Sequence, residues 1–139
     1  MNSFYKYILS FIFLFVINKT IYSQLDVVMT SCENYLTDDY FSDGQQYISL
    51  ISGSQIAEFN VLFYGGNTYR IISGGSGKQK INFIIYDKNR KTLYNNADFN
   101  NSPYWDIQFE STIECFIEAK LVNQENNSGF AVLLIGVKK

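Results

Sequence analysis

The chain has no histidine. That absence removes Ser-His-Asp and Cys-His nucleophile schemes and the common zinc sites. It has only two cysteines, Cys32 and Cys115, one proline, Pro103, and one tryptophan, Trp105. Two thiols are too few for a cysteine-rich metal centre. Basic residues are sparse and scattered, with dense spots only at Lys88-Arg90-Lys91 and Lys138-Lys139. Phosphate backbones need clustered Lys and Arg, so no nucleic-acid partner is expected. No nucleotide fingerprint occurs. Gly74-Gly75-Ser76-Gly77-Lys78 lacks the P-loop spacing, and no helical pattern follows it.

Paired carboxylates are equally unpromising. Glu114 and Glu118 share one strand face four residues apart. At the rise of a strand they stand about 13 Å apart, beyond the usual separation of a glycosidase pair. Asp38, Asp39 and Asp43 form the densest acidic cluster. Their spacing is not that of an EF-hand loop, and they read as turn acids. No enzyme activity, metal or cofactor is expected.

What is present begins at the N-terminus. MNSFYKYILSFIFLFVINKTIYSQ has a basic-aromatic start with Lys6, an apolar run from Tyr7 to Ile17, and a polar end with Ser23 before the expected cut. That is the layout of a secretory signal peptide. The run is about half of the roughly 20 residues that a spanning helix needs. Residues 1–23 are thus expected to be a cleavable leader, 24–43 an N-terminal arm, and 44–139 the folded domain. The product is expected in the periplasm or outside the cell, with no stable membrane span. Losing Lys6 and Lys19 from the 11 basic residues leaves 9 against 13 acidic ones, a net charge of −4.

The rest of the chain reads as strands and turns. Tyr (11) and Phe (12) are abundant, and both suit half-buried pleated surfaces. Gln55 to Tyr64 places Ala57, Phe59, Val61 and Phe63 on one face and Glu58 and Asn60 on the other, the period of a half-buried strand. Similar segments are Gln45–Ile51, Thr68–Ser73, Lys80–Tyr86, Lys91–Tyr94, Tyr104–Glu110, Thr112–Leu121 and Phe130–Val137. Gly65-Gly66-Asn67 is a hairpin signal, and Gly74-Gly75-Ser76-Gly77 also reads as a hairpin turn. In the arm, Thr30 and Ser31 are candidate caps for a short helical turn over Cys32–Leu36. About eight short strands with turns every 8–12 residues predict an all-β, antiparallel, jelly-roll-like β-sandwich.

An oxidising compartment invites a disulfide between Cys32 and Cys115, tying the arm to a late strand. The alternative is an inert buried Cys115 and a separate Cys32 thiol.

From Ala57 onward the order of features resembles the bacterial pre-peptidase C-terminal domain, a small β-sandwich appended to secreted proteins. The residues are Ala57-Glu58-Phe59-Asn60-Val61 leading to Gly65-Gly66-Asn67-Thr68-Tyr69, then Ile84 to Leu93, then Ser128-Gly129-Phe130-Ala131-Val132-Leu133-Leu134-Ile135. Ser111-Thr112-Ile113-Glu114-Cys115 stands where that family has a late Gly-x-Tyr. The chain is also similar to small exported bacterial proteins of unassigned role, through Asp43-Gly44-Gln45 and Tyr104-Trp105-Asp106.

The binding candidates flank the long polar loop Asn95–Pro103. Tyr94, Asn96, Asn100, Asn101, Tyr104 and Asp106 combine rings that stack on a ligand with amides and a carboxylate that orient it. Trp105 reads either as core or as part of this surface. The expected function is an exported, non-enzymatic binding module for a glycan or a cell-envelope protein. The alternative is an accessory subunit that pairs with a larger exported protein through a sheet edge or apolar face.

Overall fold

The computed structural model describes residues 6–10, 24–77, 79–125 and 127–139. Most of the leader expected over residues 1–23 lies outside the described residues; residues 6–10 are helical and exposed. Eight strands follow: β1 (Tyr40–Ser52), β2 (Ala57–Phe63), β3 (Thr68–Gly75), β4 (Ile81–Asp87), β5 (Thr92–Asn95), β6 (Tyr104–Gln108), β7 (Ile113–Leu121) and β8 (Ser128–Lys138). They form two antiparallel four-stranded sheets, β1-β8-β3-β6 and β2-β7-β4-β5.

The pairing is nested. β1 bonds β8, β2 bonds β7, β3 bonds β6 and β4 bonds β5. Such a chain is one long antiparallel ribbon rolled up so that successive rungs fall in alternate sheets, which is a jelly roll. Only β4 and β5 are sequence neighbours in one sheet. Their turn is held by Asp87 Oδ1, which accepts from the amides of Asn89 (2.8 Å) and Lys91 (2.9 Å).

This topology corrects two readings. Gly65-Gly66-Asn67 joins β2 to β3, and Gly74–Gly77 leads from β3 towards β4; both pairs lie in different sheets, so neither connection is a hairpin. Gly74 and Gly75 in fact belong to β3 and pair with Val132 and Ala131. A Cβ on Gly65 would lie 2.7 Å from Ser111 Cα, so this corner needs glycine for a close backbone crossing.

Alternation sets which side chains fill the interior. Val61 and Phe63, Tyr69 and Ile71, Phe83 and Ile85, Cys115 and Ile117, and Leu133 and Ile135 meet between the sheets. The intervening residues of β3 and β8, Ile72, Val132 and Leu134, point out of the other face. A helix over residues 24–33 covers them. Leu25, Val28, Met29 and Cys32 give it an apolar stripe at i, i+3, i+4 and i+7. The helical turn expected at Cys32–Leu36 is therefore displaced. Thr30 and Ser31 lie inside the helix, exposed, and do not cap it. Amides of Tyr35 and Leu36 donate to the carbonyls of Cys32 (3.0 Å) and Glu33 (2.9 Å), closing the helix with a tight turn.

The expected Cys32–Cys115 disulfide is absent; both cysteines are free and buried. The reason is the sheet between them. Cys32 packs with Val28, Ile72, Val132 and Leu134 outside it, and Cys115 packs with Val61, Ile71 and Leu133 inside it. Burial pushes each thiol up to about 11, which keeps both in the unreactive neutral form.

Candidate functional site

The rolled ribbon gathers the β1–β2, β3–β4, β5–β6 and β7–β8 connections at one end. Hydrogen bonds join them there: Gly53 N to Asn127 O (2.8 Å) and Val122 N to Lys80 O (3.0 Å). The β5–β6 connection carries the predicted site. It starts with a 3₁₀ turn, Asn96–Phe99, whose N-cap Asn95 accepts from the Ala97 amide at 3.0 Å.

The six predicted residues separate into two layers. Tyr94 and Asn96 lie inside. The Tyr94 ring stacks on Trp105 at 4.8 Å and Phe99 at 5.5 Å, and sits 5.4 Å from Phe83. Its hydroxyl is buried without a partner among the described residues, and desolvation pushes it up to about 12, with Asp98 adding to the shift. Asn96 is 0% exposed. Its Nδ2 donates to the carbonyls of Ile81 (2.9 Å) and Ser102 (3.1 Å). Its Oδ1 accepts from Asn82 Nδ2 (2.8 Å) and the Phe83 amide (2.9 Å). All four hydrogen-bonding positions of the amide are filled. Asn96 thus nails the loop to β4 from within.

Asn100, Asn101, Tyr104 and Asp106 lie outside. Asn100 (φ 55°) and Asn101 (φ 52°) are both left-handed, a conformation that asparagine tolerates better than most residues. With Tyr35, Ser73, Gln79 and Lys80 they line a cleft of about 300 Å³. Ser102, Tyr104, Trp105 and Asp106 line a second depression of about 290 Å³. Ser102 borders both, so the stretch Asn100–Tyr104 forms a ridge between two shallow hollows. Trp105 answers to both readings made of it: it packs on the inter-sheet core and also lines the outer hollow.

Asp106 is already engaged. Arg70 Nε and Nη2 donate to its two oxygens at 2.7 and 2.8 Å. That forked pair, with help from the Tyr40 hydroxyl, holds the carboxyl below the usual carboxylate range. Arg70 also donates to the Tyr35 carbonyl at 3.0 Å and lies over the rings of Tyr40 (4.1 Å) and Tyr104 (4.6 Å). Tyr35 and Tyr104 rings sit 5.2 Å apart. Tyr35, Gln79 and Lys80 were not among the predicted residues. They come from the arm and the β3–β4 connection, and only the nested pairing places them beside Asn100.

Chemically the ridge and its flanks offer amides, a tyrosine, the Lys80 ammonium and the Arg70 guanidinium held by Asp106. Among the described residues no group of three or more His, Cys, Asp or Glu comes together to hold a metal. None of their helices is long and apolar enough to cross a membrane.

No family model matches the chain, and no curated protein sequence matches it. No family match therefore supports the resemblance to the pre-peptidase C-terminal domain. Among solved structures it is similar to PliG of Aeromonas hydrophila, a periplasmic lysozyme inhibitor of g-type lysozyme. The TM-score is 0.54 at 13% identity, covering 70% of this chain and 91% of PliG. At that identity the likeness concerns the fold: a jelly-roll-like sandwich that this chain builds from a different sequence.

Proposed function

We propose that this chain is an exported, non-catalytic binding module whose partner is a protein, the leading candidate being a lysozyme-type enzyme that it inhibits. Residues 1–23 would be its leader and the periplasm or the cell exterior its site of action. The carrying observation is the Asn96 anchor. Four internal hydrogen bonds fix a loop that turns Asn100 and Asn101 outward onto the cleft. A loop held in one shape before contact loses less entropy on binding, which is how preorganised interfaces gain affinity.

The shape favours a protein over a small ligand. The two hollows are shallow and flank a ridge, whereas small-molecule sites are concave and enclosing. Tyr104, 36% exposed and backed by Arg70 and Tyr35, has the make-up of an interface anchor. The fold likeness to a lysozyme inhibitor supports the same reading. A glycan remains the competing ligand, through Tyr104 and the asparagine amides.

The test is a calorimetric titration of the purified protein into a g-type lysozyme and, separately, into soluble peptidoglycan fragments. The account expects saturable binding to the enzyme. Tyr104→Ala and Asn101→Gly should each weaken it at least tenfold, the glycine keeping the left-handed backbone while deleting the side chain. Binding to the fragments alone would move the assignment to a glycan. Binding to the enzyme that neither substitution disturbs would remove the ridge as its site.

A further inference from the structure

A sandwich of two open sheets has four edges, and proteins blunt such edges with short strands, charges or proline. Three edges here are blunted. β5 has 4 residues, β6 has 5 and carries Asp106, and β2 has 7 and carries Glu58. β1 differs. It is 13 residues long, and although Asp43 and a register shift between Ser42 and Gln46 mark its start, from Gly44 to Ala57 the sequence holds no charged residue and no proline. Among the described residues its outer edge has no partner strand.

The direction of its backbone groups follows from two bonds. Gly53 N donates to Asn127 O, on the β8 side. Ser52 N instead donates to Gln55 Oε1 at 2.9 Å. In an antiparallel ladder alternate residues face the neighbour. Residues 47, 49 and 51 therefore bond β8, while Gln46, Ile48 and Leu50 turn their amides and carbonyls to the free edge. The side chains of Ile48 and Leu50 stand exposed on the outer sheet face, at 39% and 68%. Across β8 they sit opposite Val132 and Phe130.

We infer that a second copy of this chain docks on β1, antiparallel, about a two-fold axis through Ser49. This register puts Ile48 opposite Leu50 of the other copy, and Leu50 opposite its Ile48. Both are residues whose backbone groups face the edge, so each pair exchanges two hydrogen bonds. The same register carries the apolar outer row without a break: Val132, Ile48, then the second copy's Leu50 and Phe130. A two-fold axis brings each strand against its own sequence, so the neutrality of Gly44–Ala57 keeps like charges out of the seam. The contact is separate from the Asn100–Tyr104 ridge. Strand pairing of this length buries little area for a protein interface, so the dimer forms at micromolar rather than nanomolar concentration.

Sedimentation equilibrium of the exported protein tests this directly. The expected result is a monomer–dimer equilibrium with dimer prominent at about 100 µM, the weak range set by so small an interface. Leu50→Lys should weaken association at least tenfold with an unchanged circular dichroism spectrum. Two cysteine variants report the register. Ser49→Cys places two thiols at a non-hydrogen-bonded pair, about 4.5 Å apart at Cα, within disulfide reach. Ile48→Cys places them about 8 Å apart, beyond it. Mild oxidation should therefore crosslink the first and spare the second. A protein monomeric at this concentration, or crosslinking of Ile48→Cys as fast as Ser49→Cys, would overturn the inference.

Discussion

Asn96 shows how much one amide can hold. Replacing it by alanine would strand the Ile81 and Ser102 carbonyls, the Phe83 amide and the Asn82 side chain. Leaving buried polar groups unpaired is costly, so Asn96→Ala should lose about 3 kcal/mol of unfolding free energy in urea titrations. Asp106 makes a smaller, pH-dependent contribution. Its folded-state pKa is depressed, first by the Arg70 hydrogen bonds. A depressed carboxyl stabilises the fold above its unfolded value and stops doing so as pH falls through the folded one. The side chain is 38% exposed, so screening limits the pair to about 1 kcal/mol. Asp106→Asn should thus be less stable than the parent at pH 7, with the gap closing as pH falls below about 4. In the sequence Asn96 is indistinguishable from Asn100 and Asn101, because composition gives residue type without direction. A buried asparagine and a surface one look the same until the strand that satisfies the first is in place.

At the scale of elements, period-2 alternation made the strands legible. Val61 with Phe63, and Trp105 with Ile107, face inward as their spacing requires. Alternation says nothing about which strand bonds which, so two glycine-rich corners between sheets passed for hairpins. The N-terminal helix had a signal, the stripe Leu25, Val28, Met29 and Cys32, that the acidic, irregular look of the arm obscured. Its seat is made by glycine. A Cβ on Gly74 would lie 2.5 Å from Cys32 Sγ, and one on Gly136 would lie 2.5 Å from Leu36 Cδ2. Gly74→Ala should lift the helix from β3. Amide exchange over residues 24–36 should rise at least tenfold while the β7 and β8 amides stay protected. Equal protection in the variant would show that the helix does not depend on this contact.

The whole molecule is a rolled ribbon with a filled interior, a helix on one outer face and a polar ridge at one end. Its two thiols lie on opposite faces of one sheet, so protein unfolded without reductant should titrate two free thiols per chain. A titre near zero would mean that the cysteines pair in a different packing. The proposed binding role rests on a loop fixed from within by Asn96 and presenting amides and a tyrosine outward. On that proposal the surface works by occupying another molecule. The most direct measurement is the rate at which a g-type lysozyme clears peptidoglycan as the protein is added. The account predicts a rate that falls towards zero near stoichiometric protein and recovers when Tyr104→Ala replaces the parent. Clearance at the uninhibited rate under a tenfold excess of folded protein would contradict it.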